Sequence, residues 1–288
     1  MIFDETISLL NGVEIPKLAL GTWLIDDASV ADAVRSAIEI GYRHIDTAQA
    51  YANERGVGEG VLTCGVPREK IFITSKVAAE HKTYDDAMDS INETLRVMKL
   101  DYLDMMIIHS PQPWKEVNQS ENRYIEGNRE AWRALTDAYD EGKLRAIGVS
   151  NFLQVDINSL CKVAEVKPMV NQILAHISNT PFDLINYCQS RGIVVEAYSP
   201  IAHGEALKNP VIKEMADKYK VSVPQLCIKY DLQLNMVVLP KTDNPDHMKS
   251  NADLDFVISD QDMEMLKNIE RIKDYGKAGI FPVFGGKF

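Results

Sequence analysis

The chain alternates between short apolar runs and longer segments with helical periodicity. Eight apolar runs recur along it: KLALG (17–21), RHIDT (43–47), IFITSK (71–76), MMIIH (105–109), AIGVSN (146–151), MVNQI (169–173), IVVEAY (193–198) and MVVLPK (236–241). Several of them are continuously apolar rather than alternating, which is typical of strands in a parallel sheet covered on both faces. The pattern therefore predicts eight buried parallel strands.

The segments between these runs have the spacing of amphipathic helices. In the clearest one, residues 84–98, apolar side chains recur every three or four positions along one face: Tyr84, Met88, Ile91, Leu95 and Met98. Thr83 precedes this segment as its predicted N-cap. Four glycines each follow a helical segment shortly before the next strand, where a left-handed residue is expected: Gly41, Gly65, Gly142 and Gly192.

Eight strands alternating with helices predict a fold of the α/β class, a (β/α)8 TIM barrel. The alternative, a doubly wound open sheet, usually carries G-x-G-x-x-G after its first strand, where this chain has GTWLIDD. The segment TISLLNGVEIPKL predicts an N-terminal β-hairpin with a two-residue turn at Asn11 and Gly12, placed across the bottom of the barrel. Because no linker-like stretch interrupts the chain, we expect residues 1–288 to form a single domain.

Composition limits the partners and the compartment. The chain has 31 Lys and Arg against 42 Asp and Glu, a formal net charge of −11, which argues against nucleic acid or an anionic membrane as the main partner. Its N-terminus, MIFDETISLL, lacks the positive charge of a secretory signal, and its four cysteines have no metal-binding spacing. We predict a reduced, cytoplasmic protein without a metal site.

Polar or ionisable side chains stand at the ends of nearly all predicted strands, where barrel active sites form. They are Asp46, Lys76, His109, Ser150, Asn151, Gln172, Tyr198 and Lys241. Singly, each has a structural explanation, such as an ion pair between Asp46 and Lys76 or a buried core histidine at His109. Together they predict an active site.

The first three of these side chains, with Tyr51 in the loop after the second strand, predict proton-transfer chemistry. Adjacent strands lie about 4.8 Å apart, so Asp46 and Lys76 at equivalent heights should meet. A lysine ammonium at roughly 4 Å favours a phenolate by about 4 kcal/mol at an effective dielectric near 20, so we expect the pKa of Tyr51 to fall toward neutrality. A tuned tyrosine and a neutral histidine suit carbonyl reduction, with a nicotinamide cofactor as the hydride source.

These residues stand in segments that resemble the aldo-keto reductase family. GYRHIDTAQAYANERGVGEG is similar to the family's first signature, MDSINETLRVMKLDYLDMMIIHSP to its second and LPKTDNPDHMKSNADL to its third. GTW, GKLRAIGVSNF, VNQI and AYSPIA also match in order, so the resemblance extends from Ile15 to about Ile269. It implies a barrel with an N-terminal hairpin, in agreement with the periodicity, and a monomeric enzyme that acts on a small carbonyl substrate.

The resemblance places the family's catalytic tetrad on Asp46, Tyr51, Lys76 and His109, with Tyr51 as the general acid. It also implies that NADPH lies extended across the barrel mouth without a Rossmann motif. The implied cofactor contacts are Gly21, Thr22 and Asp46 at the nicotinamide ribose, Ser150, Asn151 and Gln172 at the carboxamide, Tyr198 under the ring, Ser199, Pro200 and Ile201 at the pyrophosphate, Lys241 and Thr242 at the 2′-phosphate, and Asn251 at the adenine.

The third signature departs from the family pattern at two positions. His247 stands where an arginine is usual, and Ser250 where a glutamate is usual. A mostly neutral histidine can stack on the adenine but contributes less charge than an arginine. We therefore expect NADPH to be preferred through Lys241 by a smaller margin than usual, which leaves NADH as an alternative cofactor.

The substrate pocket is predicted from two tryptophans and a long loop. Ser110 replaces the bulky aromatic residue that many family members carry after the histidine, while Trp114 and Trp23 could form an apolar wall beside Tyr51 and His109. An anchoring role in the loop explains Trp114 equally well. Seventeen residues separate His109 from a helix starting near Gly127, a length typical of a functional loop.

The C-terminal segment KDYGKAGIFPVFGGKF is short and glycine-rich, and carries Phe281, Phe284 and Phe288. In the family this tail often folds over the pocket, and a short tail then implies an open site for small aldehydes, ketoaldehydes or diketones. The alternative is a tail that lies on the barrel without contacting substrate.

Two other functions compete with carbonyl reduction. A barrel aldolase would use Lys76 as a Schiff-base nucleophile, which Asp46 disfavours by keeping the lysine charged. A nucleotide-binding barrel with a regulatory or structural role would not need four such groups in register. The complete set of Asp46, Tyr51, Lys76 and His109 therefore favours the reductase.

Overall fold

In the computed structural model, eight parallel strands close into a barrel behind an antiparallel hairpin, as predicted. The structure describes residues 1–287, so Phe288, the last aromatic residue of the predicted tail, lies outside the described residues. The hairpin strands are β1 (Thr6–Ser8) and β2 (Glu14–Pro16), and the barrel strands are β3 (Leu20–Gly21), β4 (His44–Asp46), β5 (Phe72–Val77), β6 (Met105–Ile108), β7 (Ile147–Ser150), β8 (Val170–Leu174), β9 (Val194–Tyr198) and β10 (Val237–Leu239).

Helices cover the outside of the barrel. Within residues 1–287 they are α1 (Asp27–Ile40), α2 (Glu54–Thr63), α3 (Tyr84–Met98), α4 (Ile125–Asp140), α5 (Gln154–Cys161), α6 (Phe182–Gln189), α7 (Pro210–Tyr219), α8 (Val223–Gln233), α9 (Pro245–Ala252) and α10 (Asp260–Lys267). None of these helices has the length and apolar character needed to cross a bilayer.

The barrel strands follow one another in chain order and all pair in parallel. Parallel bridges between Leu18 and Val238 and between Gly21 and Lys241 join the first strand to the last. Every residue of β5 and β6 is buried, as expected for strands covered on both faces. The strand ends therefore meet around one rim, where the sequence predicts the active site.

The boundaries of α3 follow from its local sequence. The helix spans the predicted residues, and the Thr83 hydroxyl accepts a hydrogen bond from the Asp86 backbone N–H at 3.2 Å. The predicted glycines that follow helices all have positive φ angles: Gly41 (131°), Gly65 (78°), Gly142 (76°) and Gly192 (72°). The sequence predictions of helix starts and stops are confirmed at these positions.

The turn of the hairpin differs from its prediction. The Leu9 N–H donates to the Val13 carbonyl at 2.8 Å and the Gly12 N–H donates to the Leu9 carbonyl at 2.9 Å, so the loop has three residues rather than two. Gly12 takes the left-handed conformation, with φ 83°, that ends such a loop. Asn11 instead turns its side chain to the Arg145 carbonyl, 2.9 Å away, which docks the turn on the barrel.

The hairpin covers the bottom of the barrel, as predicted. Ile15 is fully buried, and the Pro16 carbonyl lies 3.3 Å from Nδ1 of His44, the first residue of β4. The opposite end of the barrel, where the strands end, remains open to a large cavity.

Candidate active site

The predicted tetrad meets at the open end of the barrel. Asp46 is the last residue of β4, and Lys76 lies near the end of β5, two residues beyond Thr74, the register partner of Asp46. Because side chains alternate along a strand, residues 74 and 76 share one face. His109 follows β6 directly, and Tyr51 ends a 3₁₀ turn after β4.

Lys76 is the centre of this group and is fully buried. Its Nζ donates to Asp46 Oδ1 at 2.7 Å, to the Thr47 carbonyl at 2.8 Å and to the Tyr51 hydroxyl at 3.2 Å. These three acceptors use all three hydrogens of an ammonium group. The lysine is thus held with one donor directed at the phenol oxygen.

The pKa of Tyr51 moves in the direction opposite to the prediction. Burial raises the pKa of this phenol, and the positive charge of Lys76, which lowers it, is the smaller effect. Asp46 raises the pKa further, because its negative charge disfavours a phenolate nearby. The expected fall toward neutrality is therefore wrong, and Tyr51 is a protonated acid at neutral pH.

His109 and Lys76 have the protonation states that carbonyl reduction requires. Burial and then Lys76 hold the pKa of His109 well below its usual range, so the imidazole is neutral. Burial lowers the pKa of Lys76, but Asp46 and Tyr51 raise it and the net shift is upward. A charged Lys76 cannot attack a carbonyl as a Schiff-base nucleophile, which disfavours the aldolase alternative.

Two polar residues that the sequence analysis missed hold the Tyr51 loop. Gln49 accepts from the Ala78 N–H at 2.7 Å and donates to the Ser90 carbonyl at 3.0 Å, which ties the loop to the end of β5 and to α3. Asn53 is buried and donates to two carbonyls of the loop after β3, at 2.9 Å each. The sequence indicates them only by position, since Gln49 lies two residues before Tyr51 and Asn53 two residues after it.

A cavity of about 400 Å³ lies over the tetrad. All four predicted substrate contacts line it: Trp23, Tyr51, His109 and Trp114. Eleven of the predicted cofactor residues do so as well: Gly21, Thr22, Asp46, Ser150, Asn151, Gln172, Tyr198, Ser199, Pro200, Ile201 and Lys241. The structure does not bring the other three, Thr242, His247 and Asn251, into this cavity; they follow Lys241 in the segment that leads into α9 and in α9 itself.

The side of the cavity formed by β7, β8 and β9 is tied together by hydrogen bonds. The Ser150 hydroxyl donates to the Gln172 backbone carbonyl at 2.9 Å. Asn151, in the left-handed conformation with φ 60°, accepts from the Tyr198 hydroxyl at 2.7 Å and donates to the His109 carbonyl at 3.0 Å. Asn151 thus links the end of β9 to the residue that carries the imidazole.

Gln172 lies between two carboxyl groups. Its Nε2 donates to Asp46 Oδ2 and to Glu196 Oε2, both at 2.9 Å, so both amide hydrogens are used. Burial, followed by the negative charge of Asp46, raises the pKa of Glu196 to about 8. Glu196 was not predicted to lie in the site, although an acid inside the apolar run IVVEAY indicates a buried polar role.

The walls of the cavity are mainly aromatic and apolar. The Trp114 ring packs edge-on against His109, with 5.1 Å between centroids, and the Trp23 ring lies 6.4 Å from that of Tyr51. Trp114 therefore faces the cavity rather than serving only as a loop anchor. Four further lining residues were not predicted: Leu24, Ala50, His203 and Leu239. Three more, Phe281, Pro282 and Val283, belong to the tail for which the sequence left two alternatives open.

The C-terminal tail folds over the cavity. Phe281 packs edge-on against Trp23 at 4.9 Å between ring centroids, and the Tyr275 hydroxyl lies 3.0 Å from His176 Nε2. Of the two alternatives for the tail, the structure supports the one in which it forms part of the pocket. The tail lies more than 150 positions along the chain from the tetrad. Hydrophobic periodicity is a local signal and predicts no contact between segments so far apart.

Residues 17–271 match the profile of the Aldo/keto reductase family. The chain is 40% identical over 274 residues to "Glyoxal reductase" of Bacillus subtilis (strain 168), covering 94% of this chain and 95% of the relative. It is 37% identical over 295 residues to "Glycerol 2-dehydrogenase (NADP(+))" of Saccharomyces cerevisiae, covering 94% and 93%. The crystal structure of a Bombyx mori aldo-keto reductase in complex with NADP superposes with a TM-score of 0.84 at 31% identity, covering 96% of this chain and 95% of that chain.

The matched region includes the four residues of the tetrad and agrees with the extent of the three sequence signatures. The relatives are matched over nearly their whole length, so the similarity extends to the complete barrel and not to one motif. The chain belongs to the aldo/keto reductase family of oxidoreductases.

Proposed function

We propose that this enzyme reduces small aldehydes, ketoaldehydes and ketones to alcohols, with NADPH as its preferred cofactor. The residues proposed to catalyse the reaction are Asp46, Tyr51, Lys76 and His109. The observation that carries the proposal is the buried Lys76 ammonium, which contacts both a carboxylate and the Tyr51 hydroxyl at the floor of the cavity.

Each member of the tetrad has a separate task. Bound NADPH supplies the hydride that reduces the carbonyl carbon. Tyr51, which is protonated at neutral pH, donates its proton to the carbonyl oxygen, and the Lys76 ammonium stabilises the phenolate that remains. The neutral imidazole of His109 orients the carbonyl oxygen by a hydrogen bond, and Asp46 holds Lys76 in place.

The residues of the cavity fit a nicotinamide cofactor. The Gln172 side-chain nitrogen donates to two carboxyl groups, whereas the side-chain oxygen Oε1 accepts no hydrogen bond from residues 1–287 and is available to the carboxamide N–H. Lys241 is exposed and forms no ion pair with another described residue, so its charge is free for a phosphate. Thr242, His247 and Asn251 are proposed to bind the 2′-phosphate and adenine outside the cavity.

The walls favour small, uncharged substrates. Apart from the tetrad and the proposed cofactor residues, the lining is apolar or aromatic except for His203, which packs edge-on against Trp23 at 5.3 Å. The glyoxal reductase that is 40% identical to this chain supports a small dicarbonyl compound as substrate.

The test is a direct assay of turnover. Loss of NADPH absorbance at 340 nm is followed with a panel of aldehydes, glyoxals and sugars, using the wild type and Tyr51→Phe. Because the phenol is the proposed acid, we expect the variant to lose roughly 10²- to 10⁴-fold in kcat while its Kd for NADPH stays unchanged. Wild-type inactivity with every carbonyl, or full activity of the variant, would contradict the mechanism.

A further inference from the structure

Two segments without a barrel strand or long helix form one side of the cavity. They are the loop after β6, residues 110–124, and the C-terminal tail, residues 276–287. The loop contributes Trp114 to the wall. The tail contributes Phe281, Pro282 and Val283. The width of the substrate space therefore depends on how the loop and the tail are held against each other.

The Asn118 side chain connects the loop to the tail by hydrogen bonds. Its Nδ2 donates to the Pro282 carbonyl at 2.7 Å and to the Gly286 carbonyl at 3.1 Å, so the two amide hydrogens match two tail acceptors. The residue has φ 65°, in the left-handed region that asparagine adopts more readily than most residues. Both its backbone conformation and its side-chain contacts thus suit an asparagine.

The loop is the firmly held partner in this contact. Lys82 Nζ donates to the Ser110 carbonyl at 3.0 Å, which fixes the start of the loop to the segment after β5. Gln112 is buried and its Nε2 donates to the Ser120 and Asn122 carbonyls at 2.9 and 2.8 Å. Because the loop is braced both to the barrel and within itself, Asn118 acts on the position of the tail.

The tail is held to the barrel mainly by its rings. Phe284 packs on Tyr275 and on His203, with centroids 4.7 Å apart in each case. These ring contacts hold the tail over the mouth, but they reach Tyr275 and His203 rather than the loop, so they give no directional constraint between the tail and Trp114. The two hydrogen bonds of Asn118 supply that directional constraint.

We propose that Asn118 is a specificity-determining residue, which sets the width of the substrate space by tying the tail to the loop beside Trp114. The inference rests on the proposed carbonyl reduction and adds to it the reason for a preference for small carbonyl compounds. Without the Asn118 side chain, the tail carbonyls lose their donor and the wall formed by Pro282 and Val283 withdraws. Small substrates then lose contact with the wall, while bulky ones gain room.

The variants are chosen to leave the backbone intact. Asn118→Gly removes the side chain and keeps the left-handed conformation, which an alanine would strain. Asn118→Asp keeps the shape but replaces the donor with an oxygen that repels the two tail carbonyls. Asn235→Gly is the matched control, because Asn235 is also exposed and left-handed, with φ 58°, in the turn before β10.

The main measurement is the ratio of kcat/KM for glyoxal to kcat/KM for 2-naphthaldehyde. We expect this ratio to fall roughly 3- to 10-fold in both Asn118 variants, as the loss of a net hydrogen bond predicts, with an unchanged Kd for NADPH. Asn235→Gly should match the wild type. A ratio that is the same in all four proteins overturns the proposal.

A second measurement separates this inference from the proposed function. Amide hydrogen exchange is followed in residues 281–287, and it should be faster in both Asn118 variants than in wild type and Asn235→Gly. Exchange that is equal in all four proteins overturns the role of Asn118 even if the enzyme is an active reductase. Faster exchange in a wild type that reduces no carbonyl would leave the Asn118 contact in place and overturn only the proposed function.

Discussion

At the scale of single residues, Lys76 determines the chemistry of the site. Its three hydrogen bonds join β5 to the end of β4 and to the Tyr51 loop, so one side chain fixes both the geometry and the charge of the tetrad. The ammonium is compensated by Asp46 before any substrate binds. In the proposed mechanism, the ammonium then stabilises the phenolate that remains after Tyr51 has given up its proton.

This arrangement explains why the pKa of Tyr51 could not be predicted from the sequence. The attraction between Lys76 and Tyr51 follows from the place of Lys76 near the end of β5 and of Tyr51 in the loop after β4, and the sequence predicts it correctly. The desolvation of the phenol depends on the whole surroundings of its oxygen, which only the folded chain defines, and it outweighs the attraction. The sequence thus predicts the partners but not the sign of the shift.

The first residue-scale prediction concerns cofactor preference. His247 is exposed on α9, where the family usually has an arginine. We expect His247→Arg to raise the ratio of kcat/KM for NADPH to that for NADH by roughly 10- to 150-fold, since a charge-assisted hydrogen bond to the 2′-phosphate is worth about 1.5–3 kcal/mol.

Lys249→Arg is the control for that change, because it lies on the same helix and leaves the charge unaltered. It should keep the wild-type ratio. If His247→Arg changes the two cofactors equally, His247 does not lie near the 2′-phosphate, and the placement of the adenine end over α9 is wrong.

At the scale of elements, strands and helices position the reacting groups, and loops shape the pocket. The eight strands and α3 agree with the apolar runs and the helical periodicity because burial on both faces or on one face leaves a local pattern. The tail and the loop after β6 leave no such pattern. Their meeting through Asn118 depends on tertiary contacts between residues 164 and 168 positions apart.

A second prediction tests the local origin of α3. Thr83→Ala removes the hydroxyl that accepts from the Asp86 N–H and should lower the free energy of unfolding by about 1 kcal/mol. Thr83→Ser keeps the acceptor and should stay close to wild type. Urea denaturation followed by circular dichroism measures both; equal losses in the two variants would mean that the threonine methyl group, not the cap, stabilises the helix.

At the scale of the whole molecule, the barrel interior contains carboxyl groups whose burial is tolerated only if they are protonated or paired with a positive charge. Glu196 has a folded-state pKa of about 8 against an ordinary value of 4.5. Between these values the folded protein holds a proton that the unfolded chain has released. The stability that this proton contributes is complete below pH 4.5 and is lost as the pH rises through 8.

The third prediction follows from this linkage. Glu196→Gln should remove the part of the pH dependence of stability that comes from Glu196. The quantity to compare is the free energy of unfolding of the wild type minus that of the variant. This difference should fall by on the order of a few kcal/mol as the pH rises from 5 to 8. Urea denaturation at unit intervals of pH measures the difference. A difference that stays constant or rises with pH would show that Glu196 is ionised in the folded protein.

The closure of the barrel has a consequence for the cofactor. Gly21 and Lys241 pair where the first strand meets the last, and both also line the cavity. A dinucleotide that contacts both residues would bridge the boundary between the first and last barrel strands. It would thereby link two segments that are 220 positions apart in the chain. Binding would then stabilise the closed barrel against separation of these two strands, which, among the described residues, only isolated bridges join. The holoenzyme should therefore unfold at a higher temperature and resist proteolysis longer than the free enzyme.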